Sequence, residues 1–101
     1  MSKTKLNREE IRQLGNGTHT MYVELFRHSH GESPDPVYSG TATVYVRLRE
    51  QAYKKHPVGE ILEVAIEAPG IGAWATYSES SIEQDGWLNA ESYLAALYPR
   101  N

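Results

Sequence analysis

Between residues 37 and 50 the chain reads VYSGTATVYVRLRE, and apolar and polar side chains alternate with a period of two. Ala42, Val44, Val46 and Leu48 fall on one side of such a pleat, and Thr41, Thr43, Tyr45, Arg47 and Arg49 fall on the other. One side is a core face and the other is a surface. The same period predicts a strand over 19–28, with Met21, Val23 and Leu25 on one face and Tyr22, Glu24, Phe26 and His28 on the other. A third strand, over 59–68, offers Leu62, Val64 and Ile66 to one side and Ile61, Glu63, Ala65 and Glu67 to the other. A fourth, over 72–78, is weaker, and periodicity does not choose its inner face.

Two stretches carry a helical signal instead. Near the N-terminus Asn7 is placed to cap a helix, Glu10 to complete a capping box, and Leu6 and Ile11 to form a hydrophobic staple. Gly15 then stops that helix after about two turns. Near the C-terminus Asn89 is a cap, Ala90, Tyr93, Leu94, Leu97 and Tyr98 recur on one helical face, and Pro99 is the stop. Residues 50–55 suit one further helical turn before His56-Pro57. Residues 29–35 form a loop too long for a tight hairpin, and Pro69-Gly70 is a type II turn signature. An apolar sheet face has to be covered, and the two helices are the available cover. The expected fold is therefore α+β: a four-stranded antiparallel meander sheet with a short N-terminal and a longer C-terminal helix packed on one face. Its 101 residues make one domain, with 1–5 as a frayed tail.

Composition narrows the chemistry. The chain has no cysteine, which removes disulfides, thiolate-bound zinc and a thiol nucleophile. The opening residues, MSKTKLNREE, are polar and lack the apolar run of a signal peptide, so the expected location is cytoplasmic and no membrane contact is expected. Charge is unevenly spread: residues 1–56 hold nine Lys/Arg against six Asp/Glu, whereas 57–101 hold Arg100 against seven acids. The two halves either face apart as a dipole or interleave and pair in one sheet, and interleaving is the simpler expectation.

Candidate sites follow from these faces. His28 and His30 lie two apart near Glu32 and Asp35, an arrangement that would suit a metal or acid/base site, although the spacing matches no familiar metal motif. Pro69-Gly70-Ile71-Gly72 lacks the third glycine of a dinucleotide fingerprint and the Gly-Lys-Ser/Thr end of a phosphate loop, so no cofactor is expected. Ser39 and the Ser80-Ser81 pair have no nucleophile-elbow context, and the expectation is a protein that is not an enzyme. Tyr22, Phe26 and Tyr45 with Arg47 and Arg49 would make a stacking platform for single-stranded nucleic acid. Against it stand a sequence pI near 5.8 and Glu24, Glu63 and Glu67 on the same face.

The favoured expectation uses that face for protein. Tyr22, Phe26, Tyr45, Arg47, Ile61 and Glu63 then form an apolar centre with a charged rim, the composition of a protein contact surface. A two-fold homodimer is its simplest form. The expected role is a small binding or regulatory protein, a class that includes adaptors and phage-type inhibitors. The acidic residues Glu79, Glu83, Asp85 and Glu91 offer a second docking surface for a basic partner.

Overall fold

The computed structural model describes residues 4–27, 35–70, 72–76, 82, 87–90 and 93–99. Along them run α1 (Arg8–Leu14), β1 (Gly17–Arg27), β2 (Tyr38–Leu48), β3 (Ile61–Ala68), β4 (Gly72–Thr76), β5 (Trp87–Ala90) and β6 (Tyr93–Leu97). The strands form one antiparallel sheet in the order β4-β3-β2-β1-β6-β5. It curls into a half-barrel whose edge strands, β4 and β5, approach each other. The α+β expectation is thereby corrected. The fold is mostly β, with α1 as the one helix among the described residues.

The largest departure is at the C-terminal end, where the expected helix is two strands. Asn89, the expected helix cap, lies instead within β5, opposite Leu94 of β6. β6 is hydrogen-bonded on both edges, to β1 through Val23↔Leu97 and to β5 through Trp87↔Ala96. Ala95 faces the core between Leu25 and Leu88, and Ala96 is equally buried on the opposite face. A strand covered on both faces has no reason to alternate, so its sequence shows no period of two. The small, apolar YLAAL run then mimics a helical stripe.

The concave side is the core. Met21, Val23 and Leu25 of β1, Ala42, Val44 and Val46 of β2, Val64 and Ile66 of β3, and Leu88 and Leu97 meet there as one cluster. α1 packs onto the same cluster through Ile11, which is fully buried, with Leu6 beside it. Its start is as the sequence predicts. The Asn7 side chain accepts from the Glu10 N–H at 2.9 Å, and Glu10 Oε1 accepts from the Asn7 N–H at 3.1 Å. Gly15 ends it at φ 85°, a conformation that L side chains rarely adopt. The helix is tied down at three further points. Arg12 Nε donates to the Gly59 carbonyl at 3.2 Å, the buried His19 ring nitrogen Nε2 lies 2.9 Å from the Gly15 carbonyl, and the Leu6 N–H donates to Leu97 O at 2.9 Å.

Two smaller corrections concern β3 and the loop before it. The β2–β3 register shifts between Arg47 and Leu48, where Arg47 pairs with Glu63 but Leu48 pairs with Ile61. Leu62 is the extra residue of this bulge. The shift reverses the faces beyond it, so Ile61 is 1% exposed and belongs to the core instead of the outer surface. Residues 50–55 make no helical turn. Tyr53 and His56 exchange backbone hydrogen bonds of 2.9 and 2.8 Å across a tight turn in which Lys54 has φ 52°. No described helix is long and apolar enough to cross a membrane.

Candidate functional site

The convex side of the sheet carries the side chains that the pleat turns away from the core. Tyr45 stands there at 40% exposure, with Thr18 of β1 and Ala65 of β3 opposite it on either side. One pleat further along, Arg47 faces Glu63, and Nε–H donates to Oε1 at 3.4 Å. Tyr45, Arg47 and Glu63 are thus neighbours by register. Ile61, expected beside them, is in the core, and Leu62 takes its place. The bulge opens a groove of about 490 Å³ lined by Asn16, Gly17, Tyr45, Arg47, Leu48, Glu50 and Leu62. Asn16 holds one side of it: its Oδ1 accepts from the Leu48 N–H at 2.5 Å, and its Nδ2 donates to Glu50 at 3.4 Å.

Tyr22 and Phe26 belong to a different group. They follow Thr18 on β1 by four and eight residues, which is about 13 and 26 Å of extended chain. Tyr22 meets Tyr98 edge-on at 5.5 Å, and Phe26 lies 5.0 Å from Trp87, whose ring also carries the Lys5 ammonium at 4.0 Å. Glu24 joins the two tyrosines, accepting from the Tyr98 hydroxyl at 2.9 Å and from the Tyr22 hydroxyl at 3.5 Å. The six residues expected to form one surface are therefore divided: three around the groove, two at the aromatic end, one inside.

Burial, together with the Glu24 carboxylate, pushes the Tyr98 hydroxyl from its ordinary 10 up to about 12. A raised acid favours its protonated form in the folded state. Its contribution is present below the unfolded value and is lost as pH rises through the folded one. Tyrosinate absorbance should accordingly include a late step near 12, and Tyr98→Phe should remove that step. Loss of a step near 10 instead would place Tyr98 in solvent.

Two arginines at the end of β2 are matched by acids from the other half of the chain. Arg47 faces Glu63, and Arg49 Nε lies 3.0 Å from Glu60, which also receives His56 at 3.0 Å. The Arg49 hydrogen bond, opposed by desolvation and aided by His56, holds the Glu60 carboxyl below its ordinary value. At the β2–β3 end these pairs join the basic half of the chain to Glu60 and Glu63 of the acidic half; the other acids of that half, apart from Glu67, lie outside the described residues. Both guanidiniums of the nucleic-acid alternative thus have carboxylates beside them, which lowers their pull on phosphate.

His28 and His30 lie outside the described residues, as do Glu32, Glu79, Glu83, Asp85 and Glu91. Sequence reasoning missed Leu62 and Asn16 at the groove, and Trp87 and Tyr98 at the aromatic end. The paired Ile61-Leu62, two large apolar residues in a row where a strand should alternate, is the available trace of the bulge. The chain matches no protein-family model, no curated protein and no solved structure.

Proposed function

We propose that this is a small non-enzymatic binding or regulatory protein, and that it acts through a protein–protein contact at the groove end of its convex sheet face. The observation that carries the reading is Tyr45. It is a large ring left exposed on a central strand, beside half-buried Leu48 and Leu62, with Arg47, Glu50 and Glu63 around them. An aromatic and aliphatic centre with charged residues at its edge is the usual make-up of an interface hot spot. A central strand also holds such a ring rigidly, so little conformational freedom is lost on binding.

Tyr45→Glu tests this. Its site is exposed, so the variant should fold with a melting temperature close to that of wild type. Immobilised wild-type protein should retain a stoichiometric protein partner, another copy of the chain included, and the variant should lose it by about tenfold or more in affinity. Equal retention by both would overturn the reading.

A further inference from the structure

We infer that the partner at the groove is a second copy of this chain, related by a two-fold axis through the groove itself. The inference rests on the protein-contact reading above and names the partner. The lining contains one side chain of each charge, Arg47 and Glu50. Under two-fold symmetry a residue i that meets j also has its own j met by i, so a patch holding both signs is complementary to itself. The two residues belong to one short run, 47–50. A dyad passing between Leu48 and Arg49 sets Arg47 of each copy against Glu50 of the other, giving two ion pairs from one arrangement.

The groove supplies the rest. Arg47 keeps donors in reserve, because a guanidinium has five N–H groups, and its described hydrogen bond to Glu63 uses only Nε–H, at 3.4 Å. Its side chain is 53% exposed. Glu50 is exposed, and its described bond is the long one from Asn16, at 3.4 Å. Leu62, on the neighbouring strand, and Tyr45, two residues before Arg47, then add apolar contact beside the paired charges, while Leu48 keeps its packing against the core.

Charge exchange tests the arrangement. Sedimentation velocity over a wide concentration range should show wild type doubling in mass. Arg47→Glu and Glu50→Arg should each weaken self-association by about tenfold or more, since each sets like charges together. An equimolar mixture of the two single variants should regain dimer, because every cross-copy contact is again between opposite charges, and the double variant should self-associate for the same reason. Circular dichroism establishes that all variants remain folded. Wild type that stays monomeric overturns the second copy as partner and leaves the protein-contact reading to a different protein, which the Tyr45→Glu capture addresses separately. Dimers that persist in both single variants, or single variants that fail to rescue one another, overturn the Arg47–Glu50 pairing and move the dimer to another face.

Discussion

Ala95→Glu is expected to abolish folding. Ala95 is fully buried on β6, with Leu25 of β1 and Leu88 of β5 on either side of it. Glutamate there adds volume to a packed core, at a cost of about 1–3 kcal/mol, and strands a carboxylate without a partner, at a cost of several kcal/mol more. Domains of this size are stable by only about 5–15 kcal/mol. The substitution also separates the two readings of the C-terminal segment. On the helical stripe of Ala90, Tyr93, Leu94, Leu97 and Tyr98, position 95 points to solvent, and glutamate would be harmless. Thermal unfolding followed by far-ultraviolet circular dichroism decides between them. A cooperative transition at the wild-type temperature would place Ala95 on the surface.

Ile11→Ala should cost about 2–5 kcal/mol, the range for truncating a fully buried aliphatic side chain. α1 has seven residues and is too short to hold itself together in water. Its persistence depends on Ile11 in the core and on the bonds from Arg12, His19 and Leu6. Guanidinium titration should therefore show a lower midpoint, with native-state hydrogen exchange accelerated first at the α1 amides. A change below about 0.5 kcal/mol, the scale of an ordinary surface substitution, would mean that the helix does not close over the core.

The parts of this fold that one face alone decides were legible from the chain. β2 has solvent on one side and core on the other, and Ala42, Val44 and Val46 are buried as alternation predicts while Thr43, Tyr45 and Arg47 are exposed. The capping box of α1 was legible because it is a local exchange of hydrogen bonds within four residues. β6 was not, because what makes it a strand is distant. Its partners on β1 lie some seventy residues earlier, and sheet pairing overrides the helical preference of Leu and Ala there.

The candidate surface divides in the same way. Tyr45 and Arg47 stand where the pleat of β2 puts them, whereas Ile61 is carried inward by a single inserted residue that periodicity does not anticipate. Phe26 and Tyr22 face outward as expected, but Tyr98, the neighbour of Tyr22, comes from the segment taken for a helix, and Trp87, the neighbour of Phe26, from just ahead of its expected Asn89 cap.

The pairing of β1 with β6 bears on how the protein is made. During synthesis β1, β2 and β3 can zip together as they emerge, yet the other edge of β1 stays open until residues 93–97 have left the ribosome. The Leu6 amide, whose acceptor is the Leu97 carbonyl, waits as long. The stretch from Leu6 to Leu97 must therefore be available before the core closes. A nascent chain stalled ahead of β6 would present an unpaired, apolar strand edge, the feature that chaperones cover and that aggregates grow from.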